Sequence, residues 1–565
     1  MITLWTALLA ASAGELELID GLKAELTRSV AELRLTGGEP IYHLRYKVWL
    51  VDELEVVASR GAVLSERARP VGWLGVEVRV GTPEWDNTGF GGWEDGFRAG
   101  GLPVDLDVVA SRREAWRQTD QAYKDAVEQL SRKKAQVSRP DDHPGDYQTV
   151  GTDMGGKVVV GPPPPGSAID PSLRATALAA SVALDRAELE LAEVHVWQGH
   201  GAAWVIDSEG SQVVQRNDAT VMRAVARVRL PDGSDLTDDL LWMVVDRQAL
   251  PPVAQIEREV KAMADRLVAL AKVPAVTEEY VGPVVFVGEA AADLYRWQLF
   301  GQLVGTPPEV PFESFFGDIG DADGGARMGR RVLPVGWRVE DDPRAIPSHP
   351  GAYLFDGEGT PAEPVKLVED GIVRSLWMSR TPRKGIASSN GHGRATIYDR
   401  AVGEPALVEI EAKRALPMPA FTRAALKAAS DYGHDSVLVV KRLAEPAIEQ
   451  RARPWSWEAP ESGLPRPVEV ERWYADGRRE PVRGLVFSSV QRWVLRDIIA
   501  AGPSVSTDAL DATRDEDMWL GPTDGTPVRI TAPQVVVGEM ELVPAPGDPD
   551  QIRLIPPPPV GAPPG

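Results

Sequence analysis

Seven histidines, no cysteine and an excess of carboxylates set the chemistry open to this chain. Without a thiol there is no disulfide, zinc ribbon, iron–sulfur cluster or thiol nucleophile. A metal would need imidazole and carboxylate ligands, and a covalent nucleophile would be Ser, Thr, Lys, Tyr, His or a carboxylate. Zinc on a helix takes two His at i and i+4 with a Glu nearby as base, and no such pair occurs. His195 and His200 are five apart, across a strand end and a Gly turn, so only opposed strands would join them. His392 lies in Ser388-Ser389-Asn390-Gly391-His392-Gly393-Arg394, a Gly-rich loop of the kind that often carries function. His143, His349 and His434 stand beside Gly, Pro or Asp, and solvent exposure is expected for all three.

The carboxylates give two further candidates. Glu340-Asp341-Asp342-Pro343 has the oxygens to hold a hard cation, and it also reads as a turn between strands, which is the favoured reading. Asp318, Asp321 and Asp323 resemble a loose calcium loop but lack its spaced terminal Glu. Nucleotide and hydrolase signatures are absent: there is no GxxxxGK[ST], no GxGxxG between strand and helix, and no GxSxG. The Gly-Gly pairs at 91–92, 100–101 and 324–325 fall in turn-rich stretches and read as structural.

The elements that must position these residues come from an ordinary globular composition. The chain has 565 residues, 43% hydrophobic and 25% charged, enough for several domains with real cores. Lys plus Arg total 61 against 83 Asp plus Glu, a net charge of −22 that argues against nucleic acid as a partner. No run of 18 apolar residues occurs, so no spanning helix is expected. Residues 2–11 form an apolar run, and Ala11-Ser12-Ala13 fits a signal cleavage rule with a mature start at Gly14. The n-region has no Lys or Arg, and a short strand or a misplaced start codon is the alternative. Export would make the protein periplasmic or secreted; otherwise it is cytoplasmic.

Periodicity divides the chain into residues 1–13 as signal, 14–139 as an N-terminal α/β domain, and 140–171 as a Pro/Gly-rich linker or long surface loop. A central α/β domain follows at 172–275, then a β-rich domain at 276–555 and a Pro-rich tail at 556–565. Leu16, Leu18, Ile19, Leu22, Leu26, Val30 and Leu33 predict a first helix, and 41–59 and 71–81 alternate as strands. Residues 112–132 predict a charged helix with a solvated face. LELAEVHVWQ and AAWVIDSEG read as separate meander strands. In the last half, VGPVVFVG reads as a buried strand running directly into a helix at EAAADLYRWQLF. The many short strands beyond it predict an α+β protein with a large, curled, mostly antiparallel C-terminal sheet.

The C-terminal half resembles the TldD/PmbA family of metallopeptidase-related proteins. The matching order is GPVVFVGEAAADLY at 282–295, RRVLPVGWRVEDDP at 330–343, YLFDGEGTPAEPVKLVEDGIV at 353–373, SSNGHGRA at 388–395 and TAPQVVVGEMELV at 531–543. Residues 45–88 are similar to an exported bacterial branch of that family. The resemblance implies two chain types. TldD-like members carry HExxxH on the helix after the GPV strand, with a Cys near the C-terminus, and bind zinc. PmbA-like members, also called TldE, lack these ligands and pair with a TldD-like chain in a closed dimeric peptidase that takes unfolded peptides. Here the two His positions hold Gly288 and Asp293, only Glu289 remains, and the Cys has no counterpart.

Zinc needs about three protein ligands with one position open for water. With that site lost, Glu289 has no metal-bound water to act on, and it reads as a carboxylate stabilised at a helix N-terminus. No cofactor is expected. The resemblance thus implies a non-metal subunit that binds or guides unfolded peptides, paired with a TldD-like metal-bearing homologue or with itself. Asn390, His392 and Arg394 would form a peptide-contact loop, and neither nucleic acid nor a membrane span is involved. The alternatives are an active metallopeptidase with an atypical metal site, built from His195, His200, His392 or the 340–342 cluster, and a non-enzymatic exported scaffold.

Overall fold

In the computed structural model, residues 13–91, 95–149, 158–160, 169–216, 218–309, 328–446, 448, 463–491, 493–511 and 525–547 are described. Residues 1–12 of the expected signal segment 1–13, the group Asp318, Asp321 and Asp323, and the Pro-rich tail lie outside them. Helix α1 (Ala13–Glu32) precedes a long hairpin of β1 (Ile41–Ser59) and β2 (Ala62–Thr82), followed by β3 (Trp85–Asp86), β4 (Phe97–Leu102) and α2 (Val108–Gln136). After β5 (Val158–Val160) come α3 (Ser172–Val182), β6 (Leu189–Asp207), β7 (Gln212–Arg216), β8 (Ala219–Arg229), β9 (Asp235–Val244) and α4 (Val253–Leu270).

These nine strands make one sheet, with the path β3-β2-β1-β6-β7-β5 and with β4 on β2 and β8 and β9 beyond β6. It is antiparallel apart from the β5–β7 pair. The two meander strands expected around His195 and Ala203 are one 19-residue strand, β6. Gly201 permits this continuity: a Cβ there would fall 2.0 Å from the Leu50 carbonyl oxygen of β1. A turn signal in the sequence is thus a close backbone approach inside a strand. Helices α1 and α2 cover one end of the sheet through Leu18, Leu22, Tyr46, Val76, Ala122 and Tyr123. Helices α3 and α4 cover the other through Leu173, Ala177, Val260 and Met263.

The C-terminal half contains β10 (Tyr280–Phe286), α5 (Glu289–Leu299), β11 (Arg338–Asp341), β12 (Val365–Glu369), β13 (Ile372–Val373), β14 (Gly393–Arg394), β15 (Val402–Gly403) and β16 (Leu407–Glu411). It continues through α6 (Met418–Asp431), β17 (Ser436–Leu443), β18 (Pro467–Tyr474), β19 (Arg479–Val482), β20 (Leu485–Phe487), β21 (Ile498–Asp511) and β22 (Thr526–Pro544). Eleven strands form one mixed sheet whose path runs β13-β12-β11-β16-β22-β10-β17-β18-β19, with β20 and β21 also paired to β22. The sheet is mixed but mostly antiparallel, and among the described residues the expected curl is not detected. Its parallel pairs, β10–β17 and β16–β22, arise because α6 and later chain segments return the strands by crossover.

Strand β10 shows why GPVVFV reads as a continuous apolar run. Val284 and Phe286 pack on the face covered by α5, and Val285 and Val287 on the face covered by α6, beside Phe421 and Ala425. A strand buried on both faces has no polar alternation to display.

Part of the expected linker is also an inner element. Asp146 and Tyr147 are buried, and residues 145–149 run as a strap between the first sheet and the C-terminal loop that carries Arg380 and Ser389. The Gln148 amide donates to the Arg380 carbonyl at 2.7 Å, and Arg380 returns two guanidinium hydrogen bonds to the Gln148 carbonyl at 2.9 and 2.8 Å.

Candidate functional site

Strand β10 ends at Phe286, and Gly288 caps α5 with φ 58° and ψ −140°. That conformation belongs to glycine, so an imidazole-bearing residue could stand there only with backbone strain. Glu289 and Asp293, one turn apart, share a face of α5. The parallel register pairs Phe286 with Val440, which brings Arg442 of β17 level with Gly288. A register irregularity between Val440 and Arg442 on the β18 side marks the same point.

Arg442 meets Glu289 Oε2 through Nη2 at 2.8 Å and Asp238 Oδ1 of β9 through Nε at 2.7 Å. Its Nη2 also donates to the Asp239 carbonyl. Asp238 pairs with Arg266 of α4, and Asp239 with Arg223 of β8 at 3.2 Å. Arg296 holds Glu445 at 2.9 Å.

Burial dominates the acidities here. It pushes Asp293 up to about 7, with Glu445 and Glu289 adding to the rise against Arg296 and Arg442. It pushes Asp239 up to about 6 against Arg223 and Arg442. Glu289 is raised as well, by burial and by Asp238, in spite of Arg442. Glu289 is nonetheless the first residue of α5, where the helix N-terminus and the Arg442 guanidinium both favour its charge.

The residues at this position do not fit a zinc ion. Gly288 offers no ligand atom, Glu289 is tied to a guanidinium, and no cysteine exists to complete a set.

A second cluster, one that sequence patterns did not single out, lies where the first sheet meets the C-terminal loops. His43 of β1, Asp207 at the end of β6 and Glu209 place ligand-type atoms within 4.8 Å of one another. Arg380 already contacts Glu209 and stands 3.7 Å from Asp207 Oδ2. Arg45 Nη2 donates to the Tyr147 oxygen, so the Tyr147 hydroxyl is left to donate to His43 Nε2, 3.1 Å away. His43 then carries its proton on Nδ1, facing Glu209 Oε2 at 3.6 Å. Burial, with Arg45 and Arg380 nearby, lowers the His43 pKa and keeps the ring neutral. Arginine serves as the cation of this cluster, and its donor set does not fit a metal either.

The remaining candidates are dispersed. His195 and His200 share β6, where a five-residue separation puts them on opposite faces; they meet Glu193 at 2.8 Å and Asp218 at 3.0 Å respectively. In the 340–342 group, Asp341 points inward and accepts from Trp377 Nε1, the Ala406 amide and the Leu407 amide, each at 2.8 Å. Glu340 lies 4.0 Å from Lys366, and Asp342 accepts from the Arg344 amide, so the three do not form one cation site.

The loop residues are committed internally. Asn390 accepts from the Met378 amide and donates to the Leu376 carbonyl. His392 is fully buried, with Nδ1 beside Asn390 and Nε2 3.7 Å from Asp341. Arg394 donates to the Pro405 and Pro527 carbonyls. His349 is buried rather than exposed, accepting from the Gly351 amide at 2.9 Å and facing Asp508 at 3.3 Å. His143 is half-buried against the Trp85 ring. His434 is half-buried too, stacked on Tyr280 with Nε2 2.8 Å from the Val281 carbonyl oxygen.

Two large sheets with a strand–glycine–helix junction between them define an α+β class. Residues 278–415 match the PmbA/TldA metallopeptidase C-terminal domain. That part of the chain is thus similar to a domain found in PmbA/TldA metallopeptidases. Its fold is similar to that of a proposed modulator of a DNA gyrase from Thermotoga maritima, at 13% identity and TM-score 0.57, over 94% of this chain and 100% of that one. It is also similar to TldE from Thermococcus kodakarensis, at 13% identity and TM-score 0.53, again over 94% and 100%. No curated protein matches it.

Proposed function

We propose that this chain is a non-metal subunit that binds or guides unfolded peptides in a dimeric peptidase, beside a TldD-like metal-bearing homologue or a second copy of itself. The observation that carries this reading is the junction after β10. At the two positions where the family's metal-bearing members have histidine, this chain has a positive-φ glycine and a carboxylate, and the remaining Glu289 is neutralised by Arg442.

A guiding role needs a surface that holds extended peptide without reading its sequence. Residues 62–70 of β2 are mostly exposed, and they pair with β1 on one side while β4 joins only from Gly72 onward. Among the described residues no strand pairs with the other edge of 62–70, and such an edge supplies main-chain donors and acceptors to an added strand.

The test is reconstitution. The purified chain, supplied with zinc, is expected to leave an unfolded peptide intact, and to co-purify with a metal-bearing homologue whose cleavage of that peptide it raises. Zinc-dependent cleavage by the isolated chain, abolished by a chelator, would establish the atypical metallopeptidase instead. A chain that binds no unfolded peptide, alone or with the homologue, is the scaffold.

A further inference from the structure

Four side chains converge where β1 and the turn after β6 meet the C-terminal loop, and part of their hydrogen-bonding capacity is unused. His43 accepts at Nε2 from the Tyr147 hydroxyl, which leaves its Nδ1–H without an acceptor. Asp207 Oδ1 accepts from the Glu209 and Ser211 amides, both at 2.9 Å, while Oδ2 has no donor. Arg380 directs Nε and Nη2 at the Gln148 carbonyl and Nη2 at Glu209 Oε2 as well, while Nη1 has no acceptor. The side chains of His43, Asp207 and Arg380 are 1%, 0% and 1% exposed, so bulk solvent does not complete them.

The unused groups face one another across gaps too long for a hydrogen bond. His43 Nδ1 is 3.6 Å from Glu209 Oε2, and Arg380 Nη1 is 3.7 Å from Asp207 Oδ2. Ligand-type atoms of His43, Asp207 and Glu209 lie within 4.8 Å of one another. Two atoms hydrogen-bonded to one shared oxygen stand at most about 5.6 Å apart, so a single bridging oxygen matches these spacings.

The four atoms also define what that occupant is. It must accept from two donors, His43 Nδ1–H and Arg380 Nη1–H, and donate to two acceptors, Asp207 Oδ2 and Glu209 Oε2. A metal ion or an ammonium ion accepts nothing, a halide donates nothing, and an alcohol donates only once. Water meets all four demands.

We propose that His43, Asp207, Glu209 and Arg380 form a site for one structural water, which completes the junction between the first sheet and the loop that carries Arg380. A buried water takes about three hydrogen bonds, and this site supplies four partners. Glu209, whose side chain is 16% exposed, is the member open to solvent and gives the water its way in. The proposal does not depend on peptide guiding or on pairing with a homologue.

The test is a high-resolution crystal structure of the full chain grown with Mn2+, beside imidazole NMR of the same chain labelled with 15N-histidine. One oxygen peak is expected about 2.7–3.2 Å from all four atoms, with no anomalous signal at the manganese edge. The His43 ring is expected to carry its proton on Nδ1, with a dipolar rotating-frame cross peak at the water frequency that disappears in His43→Phe. A peak with anomalous signal on His43 Nδ1 would make this a cation site and overturn the proposal. So would His43 and Glu209 bonded directly with no peak between them, or a His43 proton found on Nε2.

Discussion

The Arg380 guanidinium lies 4.3 Å over the Tyr147 ring, pinning a strap of the N-terminal half to a loop of the C-terminal half. Arg79 covers the same ring at 4.1 Å. A phenol held between two guanidiniums gains from each, because the ring face is negative and the site is dry.

Tyr147→Ala is therefore expected to destabilise the protein by about 3–5 kcal/mol, the usual cost of emptying an aromatic site in a core. Tyr147→Phe keeps the ring and loses the hydroxyl that meets Arg45 and His43, for about 1–3 kcal/mol. Urea unfolding of the three chains measures both. A Tyr147→Ala chain as stable as wild type would mean that the strap is a passive surface loop.

Gly288 gives a prediction about backbone alone. A Cβ there meets only the Lys441 carbonyl oxygen, at 3.5 Å, an ordinary contact. Any loss on Gly288→Ala is then torsional, about 1–3 kcal/mol for a non-glycine residue at this φ. Gly288→His should lose as much and gain no zinc affinity, because Glu289 remains bound to Arg442. Thermal melts with and without zinc separate the two statements: zinc stabilisation of the histidine variant would contradict the second.

The reach of the sequence can be judged at this junction. Strand β10 and helix α5 were legible, since an unbroken apolar run followed by a helical period has few other readings. That Gly288 and Asp293 stand at this junction was legible too, because both are read directly from the sequence. Arg442 was not. It lies 153 residues beyond Glu289, and only the parallel register of β10 and β17, which no local pattern encodes, brings the two together. Tyr147 was hidden differently. Its neighbours are Pro, Gly and Asp, a composition that signals loop but says nothing of which side the loop faces. The charged helix misled in part for the same reason: Asp125, Gln129 and Lys133 of α2 are buried, each with a partner supplied from elsewhere in the fold.

Asp341 anchors a third prediction. Its carboxylate satisfies one indole N–H and two amides at the entry to β16, with no solvent to substitute. Asp341→Ala leaves three buried donors unpaired and is expected to cost about 3–5 kcal/mol. His392, whose pKa burial lowers, should remain neutral in that variant, since its stabilising carboxylate is gone. Chemical denaturation gives the first quantity and the imidazole NMR titration the second. Appearance of a charged His392 near neutral pH would refute the account.

Asp293 makes the stability depend on pH, with a sign opposite to that of a salt-bridged carboxylate. Its ordinary value is 3.8, and burial among Glu445 and Glu289 moves it to about 7 in the folded chain. Between those values the folded state binds more protons than the unfolded state. Stability is then greatest below the unfolded value and falls as pH rises towards 7. Asp239 adds a slope of the same sign up to about 6. Asp293→Asn removes the first slope: it should stabilise the protein by about 4 kcal/mol at pH 8 and leave it nearly unchanged at pH 4. Unfolding free energies of the two chains across this range measure the difference. If the variant is instead the less stable one at pH 8, Asp293 is an ionised partner of Arg296 or Arg442.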